Sequence, residues 1–394
     1  MPLAAELPFA FYAIAAFVFG LMVGSFLNVV IWRVPRGESI AFPGSHCGSC
    51  GAAVKPYDNI PLLSYAVLGG KCRRCQAKIS WFYPSVELLT GLLFLAVVWK
   101  SGPTWVAVAE VIFVAVMVAL TFIDARHQLL PNVMTYPAFV FALAAITALA
   151  WWGAWFGAKL EDYAYLRFVS FRPDGDQSSF EMALFGAFLI VSAAPVFWLI
   201  DRFDDVLFGK YFDLAEDEND SSVVEDQEKE IAAQRQHDRV IYATMVLGVL
   251  LAIIWAVKGY QLSGPRPLGF FDIEWGAYSN AYGNLLQACL GALIGGGIIW
   301  LLRAAYFLTR GFEGMGLGDV KLMAVIGAFL GWQQSILVII IGSLAGSIVG
   351  LILARKSKDG LKTAMPFGVF LGPAALIALF FGHTLVQWYT SRLH

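Results

Sequence analysis

The sequence predicts an all-α polytopic membrane protein of about 8–10 transmembrane helices with one small cysteine-rich module near its start. Three observations lead there. Hydrophobic residues make up 59% of the 394-residue chain and charged residues only 14%, with a mean hydropathy of +0.68; an ordinary soluble domain is about one-quarter charged. The apolar residues are gathered into repeated runs long enough to cross a bilayer. Between the first two runs lies a Pro- and Gly-containing segment with four of the five cysteines. The net charge of -2 gives no broad basic field, so nucleic acid is not expected as a partner, whereas membrane lipid is.

The first run, Phe9 to Ile31, has no basic region before it and reads as a retained anchor, not a cleaved signal peptide. Further spans are expected at roughly Ser85 to Trp99, Trp105 to Ile123, Val133 to Trp155, Phe180 to Ile200, Val240 to Val257, Leu285 to Leu308, Val320 to Trp332, Ile336 to Ala354 and Pro366 to Trp388, two of them short. The organisation is then 1–31, first transmembrane helix; 32–84, cysteine module; 85–200, transmembrane helices; 201–239, an acidic insert; and 240–394, further transmembrane helices. The insert carries Glu216, Asp217, Glu218, Asp220, Glu225, Asp226, Glu228 and Glu230, the composition of a solvated segment.

Arg33, Arg36, Lys55, Lys71, Arg73, Arg74 and Lys78 follow the first span, while no Lys or Arg precedes it. The positive-inside rule therefore places the N-terminus outside and the cysteine module in the cytoplasm. Alternating spans bring Asp124, the acidic insert, the Gly311 to Asp319 loop and the basic run Arg355 to Lys362 to that same side.

Cys47-Gly-Ser-Cys50 and Cys72-Arg-Arg-Cys75 are two Cys-x-x-Cys pairs with 21 residues between them. Each short pair aims two thiolates at one ion from a tight turn, and two pairs complete a tetrahedral sulfur shell; the expectation is a structural zinc site at Cys47, Cys50, Cys72 and Cys75. A reducing compartment argues against two disulfides. Four protein ligands close the shell and leave no position for a catalytic water. His46 is read as a bystander and Cys289, in an apolar run, as a small hydrophobe.

Asp124 ends the run Leu120-Thr121-Phe122-Ile123, and Asp319 follows the glycine-dense Gly314-Met315-Gly316-Leu317-Gly318 into another apolar helix. Both are expected at the cytoplasmic membrane boundary. Ionisable groups beside lipid are costly and default to function. Two facing carboxylates do not easily both ionise, so one keeps a proton while the other acts as base toward a shared water, the machinery of aspartyl proteolysis. Lys321 could form an ion pair near Asp319, and Arg126 and His127 could tune Asp124, but all three are expected mainly as interfacial anchors, and Glu87 and Glu110 as polar packing inside the bundle.

These residues carry a resemblance. Gly316-Leu317-Gly318-Asp319 with Val320-Lys321 resembles the GxGD motif of bacterial type IV prepilin peptidases. The likeness extends to Gly24-Ser25-Phe26-Leu27-Asn28, the four cysteines, Pro84-Ser85-Val86-Glu87-Leu88-Leu89-Thr90-Gly91, Asp124 with Pro131, and Pro366-Phe367-Gly368. The resemblance implies a bacterial inner-membrane aspartyl endopeptidase with Asp124 and Asp319 as catalytic residues and Cys47, Cys50, Cys72 and Cys75 as zinc ligands. It implies removal of the leader from prepilins or pseudopilins at the cytoplasmic face and methylation of the new N-terminus with S-adenosylmethionine. Contacts with pilus or secretion machinery are implied too. No fingerprint marks a site for the methyl donor. Family members have about eight helices, so a pair bracketing the acidic insert is extra. Two other classes stand beside this one: a proton-coupled transporter using the carboxylates, for which inverted repeats are not evident, and a zinc-bearing membrane scaffold without catalysis.

Overall fold

The computed structural model describes residues 8–156, 281–310, 315–356 and 366–392. The expected spans at 180–200 and 240–257 and the acidic insert at 201–239 lie outside the described residues, and the domain boundaries at 200 and 239 with them. The described residues form one compact unit of helices, α1 (Phe9–Arg33), α2 (Leu63–Val67), α3 (Phe82–Ser101), α4 (Trp105–His127), α5 (Asn132–Phe156), α6 (Ala281–Arg310), α7 (Leu317–Leu330), α8 (Trp332–Lys356) and α9 (Gly368–Thr390). Among them the only β structure is two isolated bridges. Among the described residues α1, α3, α4, α6, α8 and α9 are long and apolar enough to cross a membrane, which makes the chain a multi-pass helical membrane protein.

Helices in lipid gain nothing from hiding apolar surface from water, so they associate where small residues let backbones approach. Gly20 and Gly24 of α1 face α3: a Cβ on Gly24 would stand 2.7 Å from the Cα of Glu87, and one on Gly20 2.8 Å from the Cα of Gly91. The same device joins α6 to α7, where Gly291 meets the backbone of Gly327 and Gly295 meets that of Met323. Exposed Ile14, Val18, Phe19 and Met22 on α1 and Leu344, Ile348, Leu351 and Ile352 on α8 are the faces a bilayer would solvate.

The expected short span at Val320 to Trp332 is α7, which begins at Leu317 and stops at Leu330 because Gly331 adopts φ 84° and turns the chain into α8. At 14 residues it is about 21 Å long. Its Asp319–Leu330 stretch is buried throughout. It packs against α5, α6, α8 and α9.

The cysteine module has little helix, as its prolines and glycines predict: a 3-10 turn at Val34–Arg36, another at Pro56–Asp58, and α2. Arg33, at the end of α1, donates to the carbonyls of Ser39 at 3.0 Å and Gly44 at 3.4 Å. Glu87 of α3 accepts the amide N–H of Leu62 at 2.9 Å. The module is thus tied to both helices that flank it. Glu110 is fully buried in α4, where Lys100 donates to it at 2.7 Å and Ser101 also donates, so its expected role in polar packing holds.

Candidate active site and metal centre

α4 and α7 run antiparallel, and their neighbouring ends bring the two aspartates together. Asp124 lies in the last turn of α4, whose C-terminus is closed by Gln128 in the left-handed region with its N–H on the Asp124 carbonyl at 2.9 Å. Asp319 lies in the first turn of α7. Gly316 is the N-cap there, and its amide is directed back at the Asp319 carboxylate, one half of a capping box, since a glycine has no side chain to return the bond. Gly318 matters by what it lacks. A Cβ on it would stand 2.9 Å from the Cβ of Leu130, so its absence lets the start of α7 lie against the chain that leaves α4.

Both carboxylates are buried, Asp124 at 4% and Asp319 at 6% exposure. They meet at Gly368, the first residue of α9: a Cβ there would stand 2.6 Å from Asp124 Oδ2 and 3.4 Å from Asp319 Oδ1, so the two oxygens are no further apart than those lengths together. The amide of Val369 is directed at Asp124 and that of Gly368 at Asp319. Asp124 Oδ2 has no hydrogen-bond partner among the described residues, the condition of a buried acceptor that awaits a donor. Two buried carboxylates within reach of one point, with backbone N–H groups beside them, are able to share a proton and to pass one to a third group.

The neighbours fall differently from expectation. Lys321 is not an interfacial anchor: it is 5% exposed and donates to Asn132 Oδ1 at 2.9 Å, because α7 is enclosed on all sides. Arg126 lies with its guanidinium 3.6 Å from the centroid of the Phe82 ring, an interfacial arrangement with α3. His127 Nε2 is buried without a partner among the described residues. Sequence reasoning met Gly368 only as part of a resemblance and gave it no role; its signal was a glycine at the start of an apolar helix after Pro366.

The four cysteines converge as the spacing predicts. Their Sγ atoms all lie within 4.8 Å of one another, with Cys47 and Cys75 at 3.8 Å. A tetrahedral shell with zinc–sulfur bonds of 2.3 Å has sulfur–sulfur edges of about 3.8 Å, so the donor set fits. Each pair sits in a matching turn. Gly51 N–H bonds to the Cys47 carbonyl and Gln76 N–H to the Cys72 carbonyl, both at about 3 Å, and the residue after each second cysteine has positive φ, 67° at Gly51 and 58° at Gln76. Amides of Ser49 and Cys50 lower Cys47 to about 6. The Ala77 amide favours the Cys75 thiolate, yet burial and the neighbouring thiols push it up to about 11. Four thiols this close do not all ionise without a cation among them. His46 bonds the Gly44 carbonyl at 3.0 Å and lies outside the cluster, and Cys289 is half-buried in α6. Arg73, beside Cys72, makes a bidentate pair with Asp58 that holds the Asp58 carboxyl below its usual range.

A multi-pass helical protein that gathers two buried aspartates at helix ends, with a four-thiol module on its first connecting segment, is by class a membrane protein with a buried carboxylate pair. Comparison with known proteins narrows the class. Residues 18–101 match the bacterial peptidase A24 N-terminal domain and residues 233–351 the type IV leader peptidase family. The chain belongs to the type IV leader peptidase family. It is 28% identical to a prepilin leader peptidase/N-methyltransferase of Pseudomonas aeruginosa, across 97% of this chain and 94% of that one. The Myxococcus xanthus protein of the same name is 41% identical over 45% of this chain and 56% of its own, and the one from Neisseria gonorrhoeae 45% identical over 31% and 51%. No solved structure matches the chain.

Proposed function

We propose that this chain removes the basic leader from type IV prepilins or pseudopilins at the cytoplasmic face of the bacterial inner membrane and methylates the new N-terminus, with Asp124 and Asp319 as the hydrolytic pair. The observation that carries the reading is the approach of both carboxylates to Gly368. A scissile peptide between them would meet one carboxylate as base and one as acid. The ionised group takes a proton from water as the oxygen attacks the carbonyl carbon. The protonated group neutralises the developing oxyanion, and collapse of the tetrahedral intermediate breaks the C–N bond while the amine takes a proton. The amides of Gly368 and Val369 help hold the pair in place.

Cys47, Cys50, Cys72 and Cys75 would hold a structural zinc, which supplies folding energy to the module and no open coordination position. S-adenosylmethionine is the methyl donor this reading implies; its site is not assigned to particular residues. Contacts with pilus or secretion machinery, and an N-terminus on the outer side, belong to the same reading.

The test incubates the purified full-length chain with a prepilin and follows its mass. Loss of the leader and a gain of roughly 14 Da on the product, one CH₂, are expected. Asp124→Asn and Asp319→Asn should each abolish cleavage while insertion and expression persist. Full processing by both variants removes the mechanism.

A further inference from the structure

We propose that Lys321 is a positioning residue for the hydrolytic pair, acting through its bond to Asn132 to fix the rotation of α7 about its axis. The inference rests on the reading of Asp124 and Asp319 as that pair, and it concerns how α7 presents Asp319.

Residues advance about 100° each around a helix, so Lys321 projects about 200° from Asp319, close to the opposite face of α7. Asp319 turns toward Asp124 and Gly368, while Lys321 turns toward α5, donating to Asn132 Oδ1 at 2.9 Å with its ammonium 5.4 Å from the Tyr136 ring centroid. Asn132 is the first residue of α5, and only Gln128–Pro131 separate α5 from α4. The bond therefore ties the Asp319 helix to a point fixed close to the end of the Asp124 helix. Gly318, between the two faces, packs on Leu130 of that connecting segment. Gly318, Asp319 and Lys321, three positions in the first turns of α7, thus touch the α4 end of the molecule or its continuation.

A lysine enclosed at 5% exposure is costly where its only task is to fill space, since an apolar side chain of similar length packs there without desolvating a charge. What Lys321 adds over such a side chain is direction. The packing that fixes α7 elsewhere, Gly327 on Gly291 and Phe329 on Phe113, lies two turns or more beyond Asp319, so the Lys321 bond is a polar tie at the end of the helix that carries the carboxylate. Turning α7 by even a small angle moves the Asp319 carboxylate relative to Asp124, and a misplacement of about 1 Å at a reacting group costs up to a hundredfold in rate.

The experiment measures kcat and KM for prepilin cleavage by the purified full-length chain carrying Lys321→Met, Asn132→Ala, both together, and Lys321→Arg. Each single change should lower kcat by roughly 10- to 100-fold with KM within about twofold. The double variant should be no worse than the more damaged single, because both break one bond. Lys321→Arg should restore much of the rate, which a defect in general packing would not predict. Wild-type kcat in both single variants, or strictly multiplicative losses in the double, overturns the inference. Asp124→Asn and Asp319→Asn run in parallel separate the two levels: if those are inactive while the Lys321 and Asn132 variants are normal, only the positioning role fails.

Discussion

Phe113 of α4 and Phe329 of α7 stack face to face, their ring centroids 4.3 Å apart and their planes 8° from parallel. Each ring lies 10 or 11 residues, about 15 Å, from the aspartate on its own helix. α4 and α7 are therefore registered at two levels, by rings at one and carboxylates at the other. Both rings are buried. Phe329→Ala should cost about 3–5 kcal/mol of stability, the usual range for an emptied aromatic site in a packed core. The measurement is thermal unfolding in detergent. An unchanged midpoint would mean that the stack does not contribute to the native packing.

Gly368 is the position where the site tolerates least. Gly368→Ala would place a methyl 2.6 Å from Asp124 Oδ2, well inside contact distance. Either Asp124 or the start of α9 must shift, and cleavage should fall by at least about a hundredfold. Unfolding temperature and expression should change little, since the clash is confined to the crevice. Cleavage at the wild-type rate would show that the two carboxylates do not meet across this residue during turnover.

Stripping metal from the full-length chain should loosen the cysteine module and leave the helices folded. The expected readout is new protease cutting within residues 45–78, absent when zinc is restored. Metal binding needs thiolates, so it releases protons, and retention weakens as pH falls. Cys50→Ser, which removes one thiolate, should shift that loss to higher pH. A module equally resistant to protease with and without chelator would contradict a structural metal.

Lys100, about a quarter exposed, neutralises the fully buried Glu110 far from the aspartates, at the opposite end of α4. Lys100→Met would leave that carboxylate buried without its cation. Losses of 3–5 kcal/mol accompany a broken pair when both partners are buried, and partial solvent screening at Lys100 places the expected cost nearer about 2 kcal/mol. Cleavage below the unfolding temperature should persist. Calorimetry and a cleavage assay on the same sample check both halves.

Composition and periodicity alone determined that the chain is helical and crosses membrane, because a bilayer leaves unsatisfied backbone no alternative and selects long apolar runs. Spacing determined the four-cysteine cluster: two Cys-x-x-Cys turns each bring two thiols together by local geometry, and all four sulfur atoms lie within 4.8 Å of one another. The helix-end positions of Asp124 and Asp319 were legible as well, since Asp124 closes one apolar run and Asp319 opens another. Their convergence was not. It depends on which helices become neighbours, and that is set by shape: Gly318 against Leu130, Phe113 on Phe329, and the bare Gly368 between two carboxylates. Lys321 shows the same division. In sequence it is a cation beside a membrane boundary, and only the packing of α7 among its neighbours buries it and turns it toward Asn132.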